Sequence, residues 1–268
     1  MPKTECPQCH GTGWRTVEKR GDRGVSRQAV PCECSASTRA ESVLDRTRIP
    51  KRYLHCDFEN YESDLPHEGS EAAAWNRSLK QAKLIVQGFA REYPGGRDRG
   101  LLLMGPCGVG KTHLAVAALR ELLARGHEGL FYDYRELLKE IQASYNPVSQ
   151  TSEMEVLEPV LNTEVLLLDD LGASKPSAWV LDTVGHILNV RYNENRPSIL
   201  TTNFLDTEVN APAPTRLPSG QALPRTDDSL SDRLGQRIRS RLYEMCTTVE
   251  IHASDYRKEV RQAGRFRA

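Results

Sequence analysis

Gly105-Pro106-Cys107-Gly108-Val109-Gly110-Lys111-Thr112 is the stretch on which the reading of this chain turns. It follows the pattern Gly-x4-Gly-Lys-Thr without a gap, between an apolar run (Gly100–Met104) and an Ala/Leu-rich segment (Thr112–Ala124). Glycines let successive backbone N–H groups turn inward around an oxyanion, and the start of a helix adds partial positive charge there. Lys111 is spaced to reach the β- and γ-phosphates of a nucleotide and the Thr112 hydroxyl to hold Mg²⁺. The eight loop residues and His113 form the candidate nucleotide-binding set. An ordinary glycine-rich turn is the alternative, and the strand before and helix after weigh against it.

Outward from that loop, strand and helix alternate. Glu71–Tyr93 has helical spacing and is stopped by Pro94-Gly95-Gly96. Leu130–Tyr134 reads as a strand and Arg135–Ser144 as a helix. Val165–Leu168 is a wholly apolar strand of the kind buried on both faces of a parallel sheet. Pro176 and Ser177 open a helix to about Asn193, Ser198–Thr202 is another strand, and Val249–Ile251 is the last. Repeated βα units predict an α/β fold with a parallel sheet. Residues 205–228, with Pro212, Pro214, Pro218 and Pro224, read as a long loop.

Val165-Leu-Leu-Leu-Asp169-Asp170-Leu-Gly172 delivers two carboxylates at the C-terminal edge of a buried strand, where α/β sheets bind ligands. Asp169 is the acid on the metal side, and Asp170 is placed to orient the attacking water. Two adjacent aspartates are also good helix caps, which is the plainer reading. Asn203 ends the strand Ser198–Thr202, expected between the other two, where its amide suits water and a phosphate oxygen; a simple strand-to-turn transition explains it as well. Ser231–Met245 carries Arg233, Arg237, Arg239 and Arg241 on one helix, with 233, 237 and 241 in a stripe. A solvated charged face and an arginine finger for a neighbouring subunit's γ-phosphate fit that spacing equally.

Together, Gly105–Thr112, Leu166–Gly172, Thr201-Thr-Asn203 and Ser231–Tyr256 with Ser254-Asp-Tyr-Arg257 resemble the AAA+ ATPases. Within them the chain resembles the DnaC/DnaI helicase-loader family and its transposition relative IstB, over roughly residues 50–260. The resemblance implies a RecA-like core with sheet order 5-1-4-3-2, ATP-dependent self-assembly, single-stranded DNA binding, and no helical lid of the usual AAA+ type. It also implies that Lys111 and Thr112 bind ATP and Mg²⁺, that Asp169 and Asp170 act with metal and water, and that Asn203 is sensor 1. Arg241 best matches the trans-acting arginine, with Arg237 second, and Arg257 matches a late arginine. Two features depart from the pattern. The 205–228 loop is long and proline-rich, and Asp170 stands where many AAA+ proteins have Glu; the shorter arm suggests slow, switch-like hydrolysis.

Residues 1–45 contain almost no Leu or Ile and cannot fold on hydrophobicity alone. Cys6-x2-Cys9 and Cys32-x-Cys34 supply four thiolates, enough for a closed tetrahedral Zn²⁺ site that would provide the missing folding energy. His10 is a poorer ligand because it adjoins Cys9, and free cysteines in a floppy tail are the plainer alternative. DnaI-like loaders resemble this arrangement, with an N-terminal zinc module that docks on the replicative ring helicase; Trp14, Arg15, Lys19, Arg20 and Arg23 are the candidate contacts. A zinc module that touches DNA directly competes with that role. The organisation expected is therefore a docking module at 1–45 and an ATPase domain at 46–268.

The chain has 268 residues, 38% hydrophobic and 27% charged, which excludes wholesale disorder. No run approaches the roughly 18 apolar residues needed to span a membrane. The N-terminus carries no apolar signal stretch, and seven cysteines without an export signal point to a reducing, cytoplasmic location. Lys+Arg and Asp+Glu are both 36, but residues 1–55 hold 11 basic and 6 acidic groups and residues 230–268 hold 9 and 5, so the middle is acidic. Both ends suit nucleic acid or an acidic protein. The reading reached is an oligomerising ATPase that places a ring helicase on single-stranded DNA. The alternatives are an IstB-like helper of a transposase and an ATP-switched adaptor with little turnover. A small-molecule P-loop kinase would need a substrate lid, and none is legible.

Overall fold

The computed structural model describes residues 6–10, 12, 14–21, 24–32, 46–65, 72–95, 100–146, 151–206 and 229–257. Cys34, Arg23 and residues 207–228 of the proline-rich loop lie outside these described residues. Two compact units make up the chain, residues 1–49 and 50–268.

In the first unit, strands β1 (Trp14–Gly21) and β2 (Gly24–Pro31) form an antiparallel hairpin. The second unit begins with a 3₁₀ turn over Lys51–Tyr53 and helix α1 (Ala72–Glu92). It then runs β3 (Gly100–Met104), α2 (Lys111–Ala124), β4 (Gly129–Asp133), α3 (Tyr134–Ser144), α4 (Glu153–Asn162) and β5 (Val165–Asp169). Helix α5 (Ala178–Asn193), β6 (Ser198–Thr202), α6 (Leu230–Met245) and β7 (Cys246–Glu250) complete it.

The five strands β3–β7 pair in parallel in the order β4-β5-β6-β3-β7. Counted from the strand that feeds the glycine loop, this is the expected order 5-1-4-3-2 read from the other edge. Strands β3, β5 and β6 are buried at every position because helices cover both faces; this explains the apolar runs Leu101–Met104, Val165–Leu168 and Ile199–Leu200, while the buried polar residues Asp169, Thr201 and Thr202 gather at the C-terminal ends of β5 and β6. Strand β7 starts at Cys246, three residues before the expected Val249. It pairs in register with β3, Gly100 opposite Cys246, and as an edge strand it tolerates exposed Thr247 and Glu250.

Helix α4 went unread in the sequence. Ser152 caps it through a reciprocal box with Glu155, and Pro159 sits inside it. Its C-terminal end is tied down by Arg191 of α5, whose side chain is fully buried. The Arg191 guanidinium donates to the carbonyls of Val160, Thr163, Glu164 and Pro197 at 2.6–3.2 Å and to the Ser198 hydroxyl at 2.9 Å. Burial pulls its pKa down to about 9, still above neutrality, so a cation closes α4 onto the starts of β5 and β6.

Helix α6 corrects one expectation. Gly235 has φ 77° and ψ 156°, so two helical pieces meet there at a kink. Arg233 is therefore not in a continuous stripe with Arg237 and Arg241; a residue without Cβ takes this left-handed conformation at little cost, and the i, i+4 spacing cannot reveal it.

Candidate nucleotide site

The glycine loop joins β3 to α2 at the C-terminal edge of the sheet. Gly108 and Gly110 have φ of 84° and 92°, and Gly110 is the N-cap of α2. Both are also closely packed: a Cβ on Gly110 would lie 2.6 Å from the Tyr61 ring, and one on Gly108 would collide with Asp255. The loop is braced by the segment Asp57–Tyr61, to which the sequence reading gave no role. The Tyr61 hydroxyl donates to the Val109 carbonyl at 3.1 Å, and His113 Nε2 lies 2.9 Å from the Asp57 carbonyl, so that nitrogen carries the proton. Burial lowers the His113 pKa, which favours the neutral ring. The signal for this brace was the density of aromatics in Ile49–Tyr61.

Lys111 Nζ is almost buried and donates to the carbonyls of Gly105 and Pro106, both at 2.8 Å, and to Asn203 Oδ1 at 2.7 Å. Burial pulls its pKa down to about 8, against the attraction of Asp170 and Asp169. The Thr112 hydroxyl donates to Asp169 at 2.9 Å. Thr201, on the neighbouring β6, donates its hydroxyl to the same carboxylate at 2.6 Å and accepts the Asp170 N–H at 2.9 Å. Burial raises the Asp169 pKa, and the two threonine hydrogen bonds oppose that rise. Asp170 takes a left-handed φ of 63°, and Asn203 Nδ2 donates to its Oδ1. Lys111, Thr112, Asp169, Asp170 and Asn203 thus form one hydrogen-bonded group. Thr201 was quoted only as part of the Thr201-Thr-Asn203 motif and given no role of its own; its contact with Asp169 follows from the register of β6 beside β5. Cys107 is exposed on the loop.

The group can cradle a phosphate on loop N–H groups, offer a cation, hold a divalent ion between hydroxyl and carboxylate, and present Asp170 to a water. Arg241 and Arg237 lie on α6. Arg241 donates to Asn189 and stacks 5.0 Å from the Tyr192 ring, whereas Arg237 is exposed. Backbone contacts bring the chain after β7 onto the loop, where the Tyr256 N–H donates to the Gly108 carbonyl at 3.3 Å.

The model of the family described as IstB-like ATP binding protein matches residues 26–211. The chain belongs to this ATP-binding family. The replicative helicase loader DnaC of Escherichia coli (strain K12) is 26% identical over 192 residues, 72% of this chain and 73% of that protein. The loader DnaI of Bacillus subtilis (strain 168) is 35% identical over 126 residues, 46% of this chain and 40% of that protein. Among solved structures, the DnaC helicase loader matches with a TM-score of 0.57 at 28% identity, over 76% of this chain and 100% of that one. The fold of this IstB-like chain is accordingly the AAA+ P-loop fold. Among the described residues, no helix is long and apolar enough to cross a membrane.

In the first unit, Cys6, Cys9 and Cys32 are buried, with their sulfurs all within 4.8 Å of one another. The Cys6 turn is closed by the His10 N–H on the Cys6 carbonyl at 2.8 Å and by the Thr12 N–H on the Cys9 carbonyl at 2.9 Å. The hairpin pairs Trp14 with Pro31 and so returns Cys32 beside that turn. Cys6 and Cys32 sulfurs are 3.8 Å apart, far too long for a disulfide. A tetrahedron of thiolates at Zn–S of about 2.3 Å has edges of about 3.8 Å, so the thiols fit zinc. Trp14 is exposed.

Proposed function

We propose that this chain is an ATP-dependent loader that places a replicative ring helicase on single-stranded DNA. The observation that carries the reading is the match to the solved DnaC loader along that chain's whole length. Lys111 and the loop from Gly105 to His113 bind ATP, Thr112 and Asp169 hold Mg²⁺, and Asp170 and Asn203 position the water. Asp170, one methylene shorter than glutamate, makes hydrolysis slow and dependent on DNA or partner. ATP drives head-to-tail assembly, in which Arg241, or Arg237 one turn away, reaches the γ-phosphate of the next subunit. Cys6, Cys9, Cys32 and Cys34 hold Zn²⁺, and the unit they fold docks on the helicase through Trp14 and its basic neighbours.

The DNA part of the reading is supported by an aromatic pair at the surface, an exposed Tyr145 held against a half-buried Trp179. Trp179 Nε1 donates to the Tyr145 hydroxyl at 3.3 Å, and that hydroxyl donates to Glu153 at 2.7 Å. The rings sit edge to face 6.3 Å apart, and neighbouring Met154 is exposed. Held aromatic faces of this kind stack on bases of any sequence.

A second reading, an ATPase helper of a transposase, is favoured by the family model itself. The discriminating experiment incubates the full chain, ATP, circular single-stranded DNA and the ring helicase of its host. Helicase retained on the circle only with chain and ATP is the expected result. No helicase binding, together with capture of a transposase on duplex DNA, would overturn it.

A further inference from the structure

The four arginines of α6 do different work. Arg233 lies 4.7 Å over the Phe204 ring, and Arg241 is engaged with Asn189 and Tyr192 on α5. Arg239 forks onto Asp206, with Nε 2.7 Å from Oδ1 and Nη2 2.5 Å from Oδ2. The Tyr243 hydroxyl donates to the same Oδ2, and the Arg239 guanidinium lies 5.2 Å from the Tyr243 ring. The Leu230 N–H donates to the Leu205 carbonyl at 3.1 Å. Three consecutive residues after Asn203 are thus fastened to α6, by a stacked ring, a backbone hydrogen bond and a two-pronged ion pair. The Arg239 cation beside Asp206 holds its carboxyl below the ordinary value, so the pair is ionised at neutral pH.

Asn203 is where this strap meets the nucleotide site. An ammonium has three N–H donors, and those of Lys111 have three acceptors within 2.8 Å: Gly105, Pro106 and Asn203. A phosphate oxygen can gain Lys111 only by displacing one of them. Asn203 is a side chain rather than a loop carbonyl, and it is the acceptor most free to turn away. Its backbone is three residues, at most about 10 Å of chain, from Asp206.

We propose that Asp206, Arg239 and Tyr243 form a clamp that couples Asn203 to α6, so that phosphate arriving at Lys111 repositions the helix that carries Arg237 and Arg241. Asp206 and Arg239 are positioning residues and touch no nucleotide. This rests on the reading that Lys111 binds ATP, and it assigns the signal a route within one subunit before any neighbour is present.

The test is amide hydrogen exchange over residues 230–245 of the full chain, with and without a non-hydrolysable ATP analogue, alongside direct measurement of analogue affinity. In the wild type, the analogue should change exchange in α6 by about fivefold or more, the lower end of ordinary intersite coupling. Asp206→Ala should bind the analogue within about twofold of wild type yet lose that response, because the coupling and not the site is removed. Arg239→Lys keeps the charge but not the fork and should give an intermediate response, which loss of fold alone would not produce. If Asp206→Ala fails to fold, Tyr243→Phe deletes one hydroxyl only, and its response must shrink. A wild-type-sized response in a folded Asp206→Ala or Tyr243→Phe chain that binds the analogue overturns the clamp. So does a silent α6 in wild type that binds it. Failure of wild type to bind the analogue at all would instead defeat the ATP reading beneath it.

Discussion

Among the described residues, the buried set within 50–268 draws Leu, Ile and Val from the sheet and its covering helices, while within 6–32 it is Cys6, Cys9 and Cys32. The hairpin strands, Trp14-Arg-Thr-Val-Glu-Lys-Arg-Gly21 and Gly24-Val-Ser-Arg-Gln-Ala-Val-Pro31, have little apolar surface to bury. A two-stranded hairpin of this size is marginal in water without help. One unit carries its stability in area removed from water, and the other is expected to draw it from metal-bound sulfur, so they should fail under different insults.

The largest effect is expected from taking the metal. Purified protein should hold one Zn²⁺ per chain, and structural zinc in such small units contributes an apparent free energy of about 10–16 kcal/mol. Cys32→Ser or a strong chelator should abolish exchange protection in the hairpin while the thermal midpoint of the larger unit moves by less than about 2 °C. Metal content well below one equivalent, or joint melting of both units, would break the comparison.

The reciprocal insult is Arg191→Leu. Its buried carbonyl partners would lose their donors, at roughly 3 kcal/mol or more in total. A drop of about 6–12 °C in the midpoint of the larger unit should appear in calorimetry, with zinc content unchanged. A shift under about 2 °C would mean water replaces the guanidinium.

Within the larger unit, two substitutions separate holding from turnover. Lys111→Ala should weaken ATP binding roughly 10- to 100-fold, the usual worth of a charge-assisted contact. Asp170→Asn should leave affinity within about twofold and stop hydrolysis, since it acts on the water. Equal loss of affinity in both would contradict the assignment.

The smallest effect concerns pH. With a folded pKa of about 8, Lys111 sheds its proton above that point in the free protein, and a bound phosphate would hold it on. Affinity is therefore level below pH 8 and falls above it, by at most about tenfold per pH unit. The same group makes the larger unit gain stability between pH 8 and the ordinary lysine value, because there the unfolded chain binds more protons. Calorimetric titrations at pH 7 and pH 9 check the first statement, and a flat affinity in wild type would refute it.

How much of this could be read in advance follows the same division. Strand β3 was legible to the residue because an apolar run buried on both faces and opened by Gly100 admits little else, and the Ser-Ile-Leu-Thr-Thr of β6, rich in β-branched residues, gave the same bounds in sequence and structure. Lys111, Thr112, Asp169, Asp170 and Asn203 were legible as a set because each sits at an element end fixed by such a run. Helix α4 was hidden by Pro159, although its capping box at Ser152 and Glu155 was written in plain sight. The hairpin was hidden because its strands lack an alternating apolar face. Thr201 and Tyr61 act across strands and loops, so their partners are set by topology, which spacing along the chain does not encode. The kink at Gly235 is a backbone choice that glycine permits and does not announce.

The pairing of Trp14 with Pro31 and of Gly21 with Gly24 makes the hairpin a gauge. One residue added to a single strand would carry Cys32 about 3.3 Å along and turn its sulfur to the opposite face. One residue added to each strand at the tip leaves the base, and hence the thiols, where they were. Length changes within the paired strands are thus compatible with a shared metal only in matched pairs.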